Sequence, residues 1–175
     1  IGKVGEDPFG RFLATTLAGE GVNIGALRFE TRARTALAFV SLRADGEREF
    51  LFYRHPSADM LFRPEEVDAA TIEAARIFHF DSISLAAEQP RETAFHAAGL
   101  AQAGGKLISY DVNLRLPLWQ DALIARKVIR EGAMRASVVK LSDDELEFLT
   151  GSREPGAVRT SLWHDGMRLA VLTMG

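Results

Sequence analysis

Asp111, Asn113 and Arg115 alternate along a single segment, Asp111-Val112-Asn113-Leu114-Arg115, at i, i+2 and i+4. If this segment leaves a strand end in extended form, the spacing puts carboxylate, amide and guanidinium on one side. An arginine fork grips phosphate or carboxylate oxygens in bidentate fashion, and the asparagine supplies a neutral donor. Strand-end capping with a surface arginine is the plainer alternative. A second cluster, Ser142-Asp143-Asp144-Glu145, has Ser followed three residues later by Glu, which is a capping box opening a helix over Asp143 to Leu149. Its functional reading is an acidic helix start that helps hold Mg²⁺ through water beside nucleotide phosphates. Both readings can hold together. Arg54, after Tyr53, stands at the end of an apolar run, where it either reaches a ligand or guards a strand edge.

Several chemistries are excluded by what is missing. There is no Cys, so disulfides, thiolate zinc sites and cysteine nucleophiles are out. His55, His79, His96 and His164 lie far apart, with no metal-binding spacing. His79 sits inside an apolar run and is expected to be a hydrogen-bonded core residue. The Gly2-Lys3 and Gly105-Lys106 pairs lack the spacing of a phosphate-binding Walker loop, and neither GxGxxG nor GxSxG occurs.

The elements that position these residues follow from periodicity. Asp7-Pro8 is a helix start, and Phe9, Phe12, Leu13 and Leu17 continue it as an apolar stripe ending at Gly19 and Gly21. Thr35 to Arg43 and Glu47 to Arg54 are rich in β-branched and aromatic residues and flank Ala44-Asp45-Gly46, which predicts a hairpin. Apolar runs then begin at Ile77, Leu107, Val138 and Leu169, in steps of 30, 31 and 31 residues, with helical stretches over Pro90 to Ala103 and Asp121 to Met134. That is the length of a βαβ unit and predicts a parallel α/β sheet buried by helices on both faces. Ligands bind outside the carboxyl ends of such strands, where Asp81, Ser82 and Ser84, the Asp111–Arg115 segment, Ser142 and Thr173 fall. The hairpin is apolar on both faces and needs a cover, as a lid over a cleft or a dimer contact.

The 175 residues carry 21 Lys and Arg against 24 Asp and Glu, a net charge of −3 without a basic patch, which disfavours nucleic acid as a partner. The longest apolar runs are too short to cross a bilayer and no signal segment opens the chain, so no membrane partner and a cytoplasmic location are expected.

Taken in order, Val4 to Val22, the ribbon Thr35 to Arg54, Ser57 to Leu61 (SADML), Ser109 to Trp119 (SYDVNLRLPLW), Lys140 to Gly151 (KLSDDELEFLTG) and Val171 to Gly175 (VLTMG) resemble a pfkB-type sugar kinase of the ribokinase superfamily, nearest the fructokinases. The resemblance implies a ribokinase-like three-layer α/β sandwich with a mainly parallel sheet, into which the ribbon at about 35–54 is inserted as a small β-hairpin lid. It further implies that ATP phosphorylates a sugar hydroxyl with Mg²⁺ bridging the nucleotide phosphates. Arg54, Asn113 and Arg115 then lie near the sugar and the transferring phosphate, with Arg115 stabilising phosphate charge. Ser142 and Glu145 take the Asn and Glu positions of the family's NxxE magnesium motif. Ser142 departs from that Asn, so the metal assignment rests on Glu145, acting through water. Thr173 and Gly175 begin the nucleotide-binding turn.

The family's amino-terminal strand with its glycine-rich, Asn-containing sugar motif, and its GAGD signature carrying the catalytic-base Asp, are expected before Ile1 and after Gly175. No residue of this chain is assigned as general base, and the 175 residues by themselves are expected to be inactive. Fructose is the leading substrate. A 2-keto-3-deoxygluconate kinase is the alternative within the class, and it needs an extra cation for the acid. A non-catalytic kinase-like assembly module is the alternative outside it. Lid-to-lid packing across a two-fold axis suggests a homodimer.

Overall fold

A computed structural model describes residues 1–174 apart from Asp45, Glu47 and His55, with Arg48 described through its backbone. Gly175 of the expected nucleotide turn and Asp45 of the expected hairpin turn lie outside the described residues. The chain divides into two compact units, Ile1–Asp68 and Ala69–Gly175.

In the first unit, strand β1 (Gly2–Gly5) pairs in parallel with β2 (Leu27–Glu30), and helix α1 (Pro8–Gly19) connects them. Asp7 caps α1 by accepting from Gly10 N at 2.9 Å, and Pro8 supplies the first helical position. The same carboxylate accepts from Thr35 N at 2.7 Å and from Thr35 Oγ1 at 2.9 Å, while Gly5 N donates to Thr35 Oγ1 at 3.0 Å. One cap therefore ties β1, α1 and the start of the ribbon together. Burial opposes ionisation of Asp7, but the bonds from Thr35 and Gly10 outweigh it and hold the carboxyl below its ordinary value.

The apolar stripe on α1 does mark a helix, but it is not the face that packs. Gly10 and Ala14 are the buried residues, and Phe9, Phe12, Leu13 and Leu17 are exposed. The reason is close approach: a Cβ on Gly10 would fall 2.0 Å from Gly5 O, so only the glycine side of the helix fits against β1. Beneath β1, the buried Lys3 ammonium meets Glu30 at 2.9 Å, Glu66 at 2.7 Å and Leu61 O at 3.1 Å.

Strands β3 (Leu37–Leu42) and β4 (Arg48–Tyr53) form the antiparallel ribbon, in register from Leu37 opposite Tyr53 to Leu42 opposite Arg48. Gly46 lies in the left-handed region at φ +87°, where a turn residue without Cβ is favoured. Phe39 and Tyr53 meet edge to face at 5.6 Å and Phe50 stacks on Phe52 at 5.9 Å. The neighbours Phe39 and Val40 point to opposite faces and both are 56% exposed, so the ribbon is apolar and open on its two sides.

The second unit opens with α2 (Ala69–Ala74) and contains four strands, β5 (Ile77–Asp81), β6 (Leu107–Asp111), β7 (Val138–Ser142) and β8 (Leu169–Thr173). All pair in parallel in the order β5-β6-β7-β8, as the regular spacing predicts. Helices α3 (Glu88–Ala103) and α4 (Ala122–Ala133) make the first two crossovers, and α5 (Asp143–Thr150) with α6 (Gly156–Ser161) the third. Asp121 caps α4 by accepting from Leu123 N and Ile124 N.

The sheet's two sides differ more than the apolar runs suggest. Phe80, Ile108, Tyr110, Val139 and Leu141 are buried, whereas the alternate residues Ile77, His79, Leu169 and Val171 are exposed. Tyr110 packs directly on Gly132 of α4, which marks the buried side as the helix side. His79 consequently departs from the expected core position: its Nδ1 meets Ser109 Oγ at 3.1 Å on the open side of the sheet.

Candidate functional site

Strand β6 ends at Asp111, and the next residue, Val112, is fully buried and donates its N–H to Lys140 O at 2.9 Å. Asn113 then turns the chain through φ +38°, a left-handed conformation that asparagine tolerates better than most side chains. Three bonds hold the turn. Asn113 Nδ2 donates to Asp81 Oδ2 at 3.0 Å, Ser82 Oγ donates to Asn113 O at 3.2 Å, and Leu114 N donates to Glu145 Oε1 at 2.7 Å. Arg115 follows, with Nη1 on Leu114 O at 2.8 Å.

The capping box reads as its spacing predicts. Ser142 Oγ accepts from Glu145 N at 3.2 Å and Glu145 Oε2 accepts from Ser142 N at 2.8 Å. Glu145 therefore serves both the helix start and the Asn113 turn. Thr173 sits in register with Ser142 on the next strand and its hydroxyl reaches Leu141 O at 3.4 Å. Asn113, Arg115, Ser142, Glu145 and Thr173 thus gather at the carboxyl edge of one parallel sheet, where ligands of such sheets bind. Three further charged residues join them. Lys140 Nζ lies 3.0 and 3.2 Å from the Asp111 oxygens, and Asp111 stands in register with Asp81. Lys140 carried no expected role within the KLSDDELEFLTG segment, although its place two residues before Ser142 puts it on the same sheet side.

Arg54 belongs to the first unit and is firmly held there. Its Nε donates to Asp59 Oδ2 at 2.7 Å, and Ser57 Oγ donates to Asp59 Oδ1 at 2.5 Å. Asp59 and Ser57 lie in the SADML segment, which carried the resemblance but no assigned role. Arg54, Ser57, Arg34, Thr35 and Tyr53 line a cavity of about 350 Å³ at the root of the ribbon.

Among the described residues no group of three or more His, Asp or Glu side chains is placed to cage a metal ion. The donor set fits a hard cation held mainly by phosphate oxygens and water: each Glu145 oxygen accepts one backbone N–H and keeps a second lone pair for a bound water. No helix among the described residues is long and apolar enough to cross a membrane.

This parallel sheet with its polar carboxyl edge, accompanied by an antiparallel ribbon, is the architecture of solved sugar kinases. A fructokinase with bound ATP from Xylella fastidiosa matches with a TM-score of 0.91 at 37% identity, covering 100% of this chain and 56% of that one. A Vibrio cholerae O395 fructokinase, in a form with bound fructose, ADP and calcium ion, matches with a TM-score of 0.85 at 30% identity over 100% and 56%. The chain belongs to the pfkB family of carbohydrate kinases, whose sequence profile matches residues 1–175. Among curated relatives, it is 49% identical to probable fructokinase-4 of Arabidopsis thaliana, over 100% of this chain and 54% of the relative. The chain spans about half the length of the curated relatives it matches.

Proposed function

We propose that the protein is an ATP-dependent fructokinase that transfers the γ-phosphoryl group to fructose, giving fructose 6-phosphate. The 49% identity with a plant protein named as a probable fructokinase, sustained across this entire chain, carries the reading. Residues 1–175 then form part of one ribokinase-like domain, with 35–54 as an inserted ribbon.

Phosphoryl transfer requires positioning and neutralisation of phosphate charge more than covalent chemistry by the protein. Arg115 neutralises phosphate oxygens, and Asn113 and Arg54 bind the sugar. Ser142, Thr173 and Gly175 contact the nucleotide, and Glu145 orients a water that a metal ion would share. When bound, Mg²⁺ withdraws charge from the nucleotide phosphates. The exposed ribbon is proposed to pack against that of a second copy, and the protein to work in the cytoplasm.

The test is a phosphorylation assay of the full-length protein on a panel of ketoses and hexoses. Fructose is expected to show the highest kcat/KM, and no turnover with any member would overturn the reading. Sugar binding without turnover would point to the non-catalytic module. One observation favours 2-keto-3-deoxygluconate as a second candidate: Arg34 adds a cation to the cavity that Arg54 lines, as a carboxylate sugar requires. Higher kcat/KM for that acid than for fructose would decide for it.

A further inference from the structure

We propose that Asp81 is a positioning residue that orients the Asn113 amide for a sugar hydroxyl and against a phosphate oxygen. The proposal rests on the sugar-kinase reading above and deepens it. A carboxylate only accepts, so the group 3.0 Å from Asp81 Oδ2 must be the amide nitrogen, and the flip state of Asn113 is settled. The main chain is held by the next residue along, because Ser82 Oγ donates to Asn113 O. Asp111, in register beside Asp81, does not compete for the amide, since Lys140 engages both its oxygens.

Once the amide is locked, it presents Oδ1 and its remaining N–H, neither of which has a partner among the described residues. That pair is one acceptor and one donor. A hydroxyl carries the same two functions and can satisfy both, whereas a phosphate oxygen, an acceptor only, can take the N–H but leaves Oδ1 without a donor. The spacing of the segment suggested only a neutral donor. The tertiary contact makes Asn113 a reader of hydroxyls and leaves anion binding to Arg115.

Steady-state kinetics of the full-length protein test this. Asp81→Ala is expected to raise the KM for fructose about fivefold to tenfold, the effect of one neutral hydrogen bond, with the KM for ATP within about twofold. Asp81→Asn keeps an acceptor for Asn113 Nδ2 and is expected to restore the fructose KM. In an Asn113→Ala background, Asp81→Ala should add nothing. An unchanged fructose KM in Asp81→Ala, equal changes in both KM values, or no rescue by Asp81→Asn would overturn the proposal. If the wild-type protein phosphorylates no sugar, the kinase reading fails by itself. The variants are then compared by calorimetric fructose binding, where no binding, or an equal Kd for wild type and Asp81→Ala, overturns the proposal.

Discussion

Glu145 and Leu114, 31 residues apart in sequence, are joined by a 2.7 Å bond from the Leu114 amide to Oε1, while the other carboxylate oxygen closes the capping box on Ser142. One side chain thus couples the start of α5 to the segment bearing Asn113 and Arg115. Glu145→Ala removes both bonds and is expected to destabilise the protein by about 1–3 kcal/mol, read by denaturant unfolding. Glu145→Gln keeps one acceptor but sets an amide N–H₂ against the second backbone N–H, so an intermediate loss is expected. Equal stability of all three proteins would show that the bridge contributes nothing.

Gly132 of α4 packs directly against Tyr110 of the sheet. A Cβ there would lie 2.9 Å from Tyr110 Cζ and 3.1 Å from Leu85 Cδ1, both fully buried residues that have nowhere to move. Gly132→Ala is expected to cost about 1–3 kcal/mol by overpacking. Gly99 of α3 is the control, because nothing lies within 4 Å of its Cβ position, and Gly99→Ala should raise stability by up to about 1 kcal/mol. Thermal melts with the same sign for both would refute the packing argument.

The folded state holds the Asp7 carboxyl below its ordinary value of 3.8. A depressed carboxylate pKa contributes stability that is complete above the unfolded value and is lost as pH falls through the folded one. Asp7→Asn should therefore narrow the stability gap between neutral pH and pH 3, measured by urea unfolding at each pH. A pH dependence identical to wild type would assign the acid sensitivity to other groups.

The ribbon offers a different kind of test. Leu42 is 74% exposed and Leu51 57%, and a charge at either position leaves the strand pairing of β3 and β4 intact. Light scattering of the full-length protein is expected to give the mass of a dimer, and Leu51→Asp that of a monomer with an unchanged circular dichroism spectrum. A monomeric wild type would remove the proposed role of the ribbon.

Features that depend on neighbours three or four residues away were legible in the sequence. Asp7 at the head of α1 and the Ser142–Glu145 box act within one helical turn, and each forms as its spacing predicts. The even steps between Ile77, Leu107, Val138 and Leu169 likewise marked the crossovers of a parallel sheet. The β1–β2 pair was not legible, because a four-residue strand such as Gly2–Gly5 is too short to show a period.

What the sequence by itself determined was helix α1, the ribbon, the four parallel strands with their crossovers and the edge at which polar residues collect, since these follow from periodicity and from the parallel connection. Only the tertiary structure decided which side of α1 packs, that His79 faces outward, and that Asn113 turns its amide nitrogen to Asp81. The last two outcomes depend on strand order and register, which bring together residues about thirty positions apart. No local pattern encodes such pairs; they exist once the buried faces have chosen their neighbours.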